Sequence, residues 1–402
     1  MKLPKSSSLS DMRIKVLLLL SAGHLVTDLA AGALPIMLPI IQASLNLSYS
    51  AAGLIALIFN VSSSVIQPLL GYWSDRVKSR WLMPLGCFLS MAGLAMVGVI
   101  SNYWLILLVV LISGLGSAAF HPEGSKVSRL ASGQRRATGM SIFIVGGALG
   151  AAIGAASMAQ LLTLYGNTAG IYFIFPGLAM VLLFYIYRNK LPDEPRQIRK
   201  TRADNTANKP LIKVPRKILI PLLALIFVVV LRSWVQAGLT HFMPLYFVNY
   251  LGYSPAYVSS LLIAFMLAGA TGTILGGPLA DRFGRKNTLV TSTALLIPLM
   301  LLLRISGGIW SLVLFFIIGM VIVSTMAITV VMGQELMPHR VGVASGLMTG
   351  FAIGLGGVGV VLLGAIADHF GEPTALWVMT VTPVVALLAT PLLPKDSHGK
   401  EK

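Results

Sequence analysis

Two ionisable side chains lie deep inside long apolar stretches of this sequence, and they have the greatest potential for chemistry. Asp28 follows about 14 residues of the first stretch, roughly 20 Å along a helix and near the middle of a bilayer if that helix spans one. Arg232 has a similar position in a later stretch. Charged groups inside a bilayer are costly, so they usually face a cavity and pair with each other. Asp28 is therefore predicted to accept protons and Arg232 to bind an anionic ligand.

The relation between these two residues has two interpretations. An anionic ligand that engages Arg232 would remove its charge from Asp28 and favour protonation of the carboxylate, which would couple ligand to proton. Alternatively, Asp28 and Arg232 form a static ion pair. His24 lies four residues before Asp28 and hence on the same helical face. It either relays protons or only hydrogen-bonds the carboxylate.

A second ionisable group lies near the end of another apolar stretch, in the segment Phe120-His121-Pro122-Glu123. His121 and Glu123 are predicted to form a gate or a second proton site. The alternative is that Glu123 pairs with Lys126 or with an arginine of a loop. Pro122 predicts a break in the helix, and broken backbone at membrane depth lines a cavity or is buried in protein.

Polar and aromatic side chains at helical spacing supply candidates for binding a small molecule. They recur on one face of the second apolar stretch and on one face of the seventh. The residues predicted to bind substrate are Arg232, Gln236, Asn60, Gln67, Trp234 and His241. Polar contacts between helices are the alternative for the second stretch, and packing or interfacial anchoring for the aromatic residues.

A short charged motif occurs twice, about half the chain length apart. The first copy runs from Gly71 to Arg80 and the second from Gly277 to Lys286, and both contain an Asp-Arg pair. Each aspartate is predicted to cap the N-terminus of a helix from the other half of the chain, where the helix dipole favours negative charge. Solvation in a loop is the alternative. The residues predicted to form this gate are Asp75, Arg76, Asp281, Arg282, Arg285, Glu335 and Arg340.

The composition indicates that helices embedded in a membrane position these groups. The chain has 402 residues, of which 56% are hydrophobic and only 11% charged, with a mean hydropathy of +0.84. A water-soluble domain does not need so much apolar surface. Because a spanning helix takes roughly 20 residues, the apolar residues divide into about twelve stretches. These are 14–42, 51–73, 81–100, 103–126, 137–164, 168–188, 217–250, 255–280, 286–304, 308–336, 341–368 and 373–394.

The distribution of charge predicts the orientation in the membrane. The net charge is +17, and nearly all of the 30 Lys and Arg fall on one side if the chain crosses twelve times. By the positive-inside rule, both termini are cytoplasmic, and nucleic-acid binding is a poor explanation of the charge. The first stretch lacks a small-residue cleavage site and is predicted to be a retained span. One cysteine, no zinc-site spacing and no Walker motif predict no metal, no cofactor and no use of ATP.

The repeat predicts how the chain is divided. Residues 189–217 are polar and rich in charge and proline, which is typical of a linker and not of a buried core. We therefore expect an N-terminal six-helix bundle over 1–188, a cytoplasmic linker over 189–217 and a C-terminal six-helix bundle over 218–402. An all-α membrane protein of two pseudo-symmetric bundles is the build of many secondary transporters.

Several motifs resemble those of known families. The two Asp-Arg motifs are similar to the loop signature of the major facilitator superfamily, although Lys78 replaces the second glycine in the first copy. The segment Phe120-His121-Pro122-Glu123-Gly124-Ser125-Lys126, with His24-Leu-Val-Thr-Asp28 and Gln67-Pro-Leu-Leu-Gly71, resembles the fosmidomycin resistance protein family. The resemblance covers essentially residues 14–394. In the superfamily, the helices of Asp28 and Arg232 face a central cavity.

The resemblance implies a proton-coupled exporter of small amphipathic or anionic compounds, monomeric, working by alternating access in a bacterial inner membrane. The proton gradient would supply the energy. A glycine-rich motif common in drug–proton antiporters is incomplete, because Ala151 stands where its proline is expected. An uptake symporter or facilitator for organic anions therefore stays open as the alternative. A membrane enzyme or receptor is disfavoured, because the chain has no evident metal-binding cluster and no large extramembrane segment.

Overall fold

The structure, a computed structural model, describes residues 12–76, 79–192 and 215–394, and within these ranges all regular structure is helical. The helices before the central polar segment are α1 (Ile14–Ser44), α2 (Tyr49–Asn60), α3 (Gln67–Arg76), α4 (Leu82–Val97), α5 (Tyr103–Ala131), α6 (Arg136–Tyr165) and α7 (Ile174–Ile186). Those after it are α8 (Arg216–Ala237), α9 (Met243–Leu245), α10 (Pro255–Phe283), α11 (Arg285–Ile305), α12 (Ile309–Val323), α13 (Met326–Leu336), α14 (Val341–Gly346), α15 (Ala352–Gly354), α16 (Gly356–Phe370) and α17 (Glu372–Ala389).

The number of apolar helices agrees with a chain that crosses a membrane many times. Ten helical segments of the described residues are long and apolar enough to span a bilayer, and α4 is a shorter apolar helix. One segment, Arg136–Ile186, has 51 residues and contains a 3₁₀ turn at Gly166–Phe173, so it is long enough to cross twice. Counted in this way, the apolar helices of the described residues are enough for the twelve crossings that the sequence predicts.

Contacts between residues divide the chain into two compact units. Unit 1 is Met1–Ile212 with Met337–Phe351, and unit 2 is Lys213–Leu336 with Ala352–Lys402. The sequence gives no sign that the late segment Met337–Phe351, which contains α14, groups with the first half of the chain. Most of the predicted linker falls on residues 193–214, which lie outside the described residues.

Glycines of α6 bring its backbone against α1 in unit 1. A Cβ at Gly146, Gly150 or Gly154 would meet the backbone carbonyl oxygen of Ser21, Leu25 or Leu29 respectively. Since the three glycines are four residues apart, they form one face of α6 that has no side chains. Small residues of this kind let helices in lipid approach closely.

The predicted helix break at Pro122 is wrong, because α5 continues from Tyr103 to Ala131 with Pro122 inside it. A proline removes only one backbone donor, and here every residue from Gly116 to Ser125 is buried against neighbouring helices. The irregular turns lie elsewhere, as π-helical turns at Val61–Val65, Gly238–Phe242, Tyr246–Tyr250 and Leu347–Phe351.

We expect Gly150→Ala to destabilise the protein, because the added methyl group would collide with the carbonyl of Leu25. Overpacking of this kind costs about 1–3 kcal/mol. The matched control is Gly364→Ala in α16, where a Cβ meets nothing within 4 Å. Thermal unfolding in detergent can be followed with a thiol-reactive dye, since Cys87 is the only cysteine and is fully buried. Equal melting temperatures for the two variants would contradict the packing described for α1 and α6.

Candidate functional site

Three ionisable side chains of unit 1 meet between α1 and α5, and we call them the Asp28 cluster. On α1, His24 Nε2 lies 3.3 Å from Asp28 Oδ2. From α5, His121 Nε2 lies 3.2 Å from Asp28 Oδ1. Each oxygen of the carboxylate therefore faces one imidazole nitrogen. The sequence predicts the His24–Asp28 neighbourhood from helical spacing, but it does not bring His121 to the same carboxylate.

The other nitrogen of each imidazole is held by a backbone carbonyl. His24 Nδ1 lies 2.8 Å from the carbonyl oxygen of Phe143 on α6, and His121 Nδ1 lies 2.7 Å from that of Ser117, one turn earlier on α5. A carbonyl oxygen only accepts hydrogen bonds, so both Nδ1 atoms must carry hydrogen for these bonds to form. A proton on Nε2 is then a second proton on the same ring, and it lies between Nε2 and an oxygen of Asp28.

The two Nε2–Oδ contacts, which we call the proton bridges, each hold one proton when they are complete. Two imidazoles with protonated Nδ1, one carboxylate and two bridging protons carry a single net positive charge. Removal of one proton leaves a nitrogen lone pair facing an oxygen lone pair, and that contact becomes repulsive. Of the two contacts, only that between His121 and Asp28 joins α5 to α1, so only a change in its proton would alter the contact of these two helices.

The surroundings of the Asp28 cluster are apolar and leave one point of access. The His24 ring stacks on Phe143 with 4.3 Å between centroids and lies 6.0 Å from Phe120. The side chain of Asp28 is 19% exposed, whereas those of His24 and His121 are 7% and 10% exposed. Solvent therefore reaches the cluster mainly through the carboxylate.

Gly147 of α6 is a further residue of this site that the sequence did not single out. A Cβ at this position would collide with His24 Nε2 and would lie 2.7 Å from Asp28 Oδ2. Only glycine leaves room for both groups beside the backbone of α6. The signal in the sequence is weak, because Gly147 follows the spaced glycine at position 146 and lies outside its four-residue period.

Glu123 belongs to a second buried cluster of polar side chains, in which it pairs with Lys126. Lys126 Nζ lies 2.6 Å from Glu123 Oε2. The hydroxyl groups of Ser74 and Ser79 donate to the same oxygen, the latter over 2.6 Å. Lys126 also donates to the carbonyl and hydroxyl oxygens of Ser74. The structure therefore contains the alternative pairing that the sequence left open for Glu123, and the role in proton transfer stays a prediction.

Arg232 is buried in unit 2, where its guanidinium donates to neutral oxygens. It bonds to carbonyls in the last turn of α12, which suits a cation because the C-terminal end of a helix dipole is negative. The remaining acceptors are hydroxyl groups. The acceptors are Val321 O, Ile322 O, Ser292 Oγ, Thr293 Oγ1 and Thr325 Oγ1, at 2.8–3.4 Å. Among the residues that the structure describes, no carboxylate lies within ion-pair distance of Arg232.

The remaining residues predicted to bind substrate differ in their surroundings. Gln67 is buried, donates to Ser63 O at 2.7 Å and accepts from Thr349 Oγ1 at 2.9 Å. Trp234 donates from Nε1 to Leu355 O at 3.0 Å. Both therefore join helices. The three others have more accessible side chains: Asn60 and His241 are exposed and Gln236 is half-buried.

Asp75, in the first copy of the repeated motif, caps the N-terminus of α14 inside unit 1. Its carboxylate accepts from the backbone N–H of Gly342 at 2.9 Å and from that of Val343 at 3.1 Å. The close approach needs glycines on both sides, since a Cβ on Gly71 would collide with Gly342. Capping of a late helix matches the geometry expected of Asp75, and opening of this contact stays a prediction.

The second copy of the motif forms a different set of contacts in unit 2. Arg285 is buried and donates from Nη1 to Glu335 Oε2 at 2.9 Å, while its Nη2 lies 3.8 Å from Asp281 Oδ1. The motif arginines stack on neighbouring rings, Arg76 at 3.9 Å from the Tyr72 centroid and Arg282 at 5.1 Å from that of Phe283. Arg340 directly precedes α14, and its backbone N–H donates to Met337 O at 2.8 Å.

We expect the Glu123–Lys126 pair to show strong coupling in unfolding experiments. Glu123→Gln leaves a buried ammonium without its counter-charge, and removal of one partner of a buried pair costs about 3–5 kcal/mol. Lys126→Met leaves a buried carboxylate without its counter-charge. The double variant is expected to lose less free energy of unfolding than the two single losses added together. Additive losses, measured through exposure of Cys87 on heating, would contradict a buried ion pair.

Comparison with known proteins agrees with this architecture. Residues 20–359 match the Major Facilitator Superfamily. The fold is also that of the Escherichia coli fucose:proton symporter FucP, with a TM-score of 0.73 at 17% identity over 94% of this chain and 98% of that one. The human organic anion transporter MFSD10 gives a TM-score of 0.70 at 15% identity over 94% and 99%. At these identities the likeness concerns the fold alone.

Two relatives are similar in sequence over nearly their whole length. The chain is 32% identical over 381 residues to the fosmidomycin resistance protein of Escherichia coli K12, covering 94% of this chain and 92% of that protein. It is 34% identical over 392 residues to the MFS-type transporter YfnC of Bacillus subtilis 168, covering 96% and 94%. With its many apolar spans, the chain is therefore a multi-pass transporter of the major facilitator superfamily, and not an enzyme.

Proposed function

We propose that this transporter exports small amphipathic or anionic compounds, among them fosmidomycin-like drugs, in exchange for protons. The observation that carries the proposal is the Asp28 cluster, a carboxylate held by two imidazoles inside apolar helices. Similarity to the fosmidomycin resistance protein supports the direction and the class of compound. We further propose that the chain works as a monomer in a bacterial cytoplasmic membrane, with both termini in the cytoplasm and no cofactor.

In this proposal, the proton bridges couple transport to the proton gradient. The bridge from His121 to Asp28 Oδ1 holds α5 against α1, while the bridge from His24 to Oδ2 lies within α1 and fixes the carboxylate. Loss of its proton makes the His121 bridge repulsive and weakens the contact of α5 with α1, so the protonation state favours one arrangement of helices over another. Alternating access needs such a differential interaction, because a proton shifts a conformational equilibrium only by binding the two states unequally.

Arg232 gives the transporter its preference for anions in this proposal. The oxygens that accept from its guanidinium stabilise the cation, but none of them carries a negative charge. An anionic substrate would supply that counter-charge. In the same unit, the half-buried Gln236 and the exposed His241 would supply neutral contacts to the same compounds.

The contacts of Asp75 and of Arg285 serve as gates in this proposal. Asp75 holds α14 by charge-assisted hydrogen bonds to backbone N–H groups. Arg285 holds Glu335 at the end of α13 and approaches Asp281. Arg76, Arg282 and Arg340 would keep the adjoining segments in place. Both contacts consist of a few strong bonds that can break and re-form together.

The experiment uses everted membrane vesicles from an efflux-deficient bacterium that expresses the chain. Respiration acidifies the interior of such vesicles, so we expect proton-driven accumulation of labelled fosmidomycin that an uncoupler abolishes. Asp28→Asn is expected to lose this accumulation, because an amide cannot complete both proton bridges. Asp368→Asn, at an exposed aspartate of α16, is the matched control and is expected to transport normally.

Two further parts of this experiment test the direction of transport and the class of compound transported. Accumulation in right-side-out vesicles under an inward proton gradient, with none in everted vesicles, would show that the chain takes up its substrate and does not export it. Arg232→Gln is expected to abolish transport of fosmidomycin, which is anionic, while an uncharged amphipathic dye is still expelled. Normal accumulation of fosmidomycin by Asp28→Asn would contradict the proposed proton site.

A further inference from the structure

We propose that His24, Asp28 and His121 also bind a single divalent transition-metal ion, such as Zn²⁺, in competition with the bridging protons. The three side chains offer ligand atoms that all lie within 4.8 Å of one another. The sequence predicts no metal site, because the ligands come from two helices and have no recognisable spacing. Binding of the ion is tested without transport, so its outcome is separate from that of the proposed function.

Two contacts in the Asp28 cluster already have the separation expected between ligands of one metal ion, and the ligand atoms of all three residues lie within 4.8 Å of one another. Ligands about 2.0–2.1 Å from a tetrahedral zinc ion lie about 3.3–3.4 Å from each other. Each imidazole Nε2 is already at 3.2–3.3 Å from an oxygen of Asp28. An ion can therefore replace the bridging protons with small movements of the side chains. Two histidines and a carboxylate also form a familiar set of zinc ligands.

The surroundings orient both histidines as metal ligands. A histidine that binds a metal usually donates its other ring N–H to a carbonyl or a carboxylate, which fixes the tautomer and the ring. His24 and His121 both make this bond to a backbone carbonyl through Nδ1. Both Nε2 lone pairs are thereby directed at Asp28, and no rearrangement of tautomers is needed for binding.

The charge of the ligands favours a divalent ion. Two imidazoles that keep hydrogen on Nδ1 are neutral, and the carboxylate carries one negative charge. A bound divalent cation therefore leaves only one net positive charge to be buried in this apolar site.

The type of ligand decides which divalent ions fit. Imidazole favours zinc, copper, nickel and cobalt, whereas magnesium and calcium prefer oxygen ligands. The partial exposure of Asp28 provides a path of entry for the ion and for a water as fourth ligand. Cys87 is not required, because its thiol bonds to Thr27 Oγ1 at 3.2 Å.

The test uses the purified full-length protein in detergent, with an affinity tag free of histidine. Binding of Zn²⁺ is measured by titration calorimetry, and Co²⁺ serves as a spectroscopic probe of tetrahedral coordination. We expect one ion per chain, tetrahedral Co²⁺ absorption, and release of up to about two protons per ion in weakly buffered solution. Mg²⁺ is expected not to compete.

Variants separate this site from adventitious binding at the surface. Asp28→Asn and His121→Gln are each expected to weaken binding more than about 10-fold, since even partners outside the ligand set contribute 10–100-fold. The matched control is His369→Gln. His369 also bonds through Nδ1 to the carbonyl one turn earlier, at 2.9 Å, but it is exposed and outside the cluster. Its variant is expected to bind as the unaltered protein does.

Unfolding followed through Cys87 establishes that each variant is folded before binding is compared. Unchanged affinity in folded Asp28→Asn and His121→Gln would overturn the proposal, and so would absence of binding by the unaltered chain. Loss of binding in His369→Gln alone would assign the ion to the surface and would also overturn it. Octahedral Co²⁺ spectra without release of protons would contradict coordination by the imidazoles.

Discussion

A carboxylate in the apolar interior of unit 1 requires compensation, and the arrangement of its helices around Asp28 meets that requirement. Desolvation of an unpaired carboxylate would cost far more than a single helix contact contributes. Both oxygens of Asp28 therefore face imidazoles, one from α1 and one from α5. The carbonyl of Phe143 on α6 holds the first imidazole, so three helices depend on one ionised group.

The packing of α6 on α1 is what makes that compensation possible. Without side chains at Gly146, Gly150 and Gly154, the backbone of α6 contacts that of α1, and Gly147 leaves room for His24 and Asp28. The proposed protonation change in the Asp28 cluster would therefore take place at a close helix contact and not in a loop. Close-packed interiors transmit such changes because they cannot deform gradually. The small residues and the titratable residues thus belong to one packed contact between α1 and α6.

Much of the fold follows from the sequence, because apolar length and charge asymmetry are local properties. The helices and the adjacency of His24 and Asp28 depend on spacing along one segment, and spacing is visible in the sequence. The approach of His121 to Asp28, the cap of Asp75 on Gly342 and the hydroxyl shell of Arg232 depend on helices far apart in the chain. The prediction of a helix break at Pro122 was wrong because the neighbours of Pro122 are buried, and this burial keeps α5 continuous. Such burial is not visible in the sequence.

The most direct measurement of the central claim is the number of protons that the purified protein releases when a substrate binds. A pH-sensitive dye in weakly buffered detergent solution reports that number when fosmidomycin is added. If the bridging protons and the substrate exchange for one another, the unaltered chain releases protons and Asp28→Asn, with binding retained, releases none. Equal release by both proteins would show that the exchanged protons come from elsewhere, and it would contradict the account.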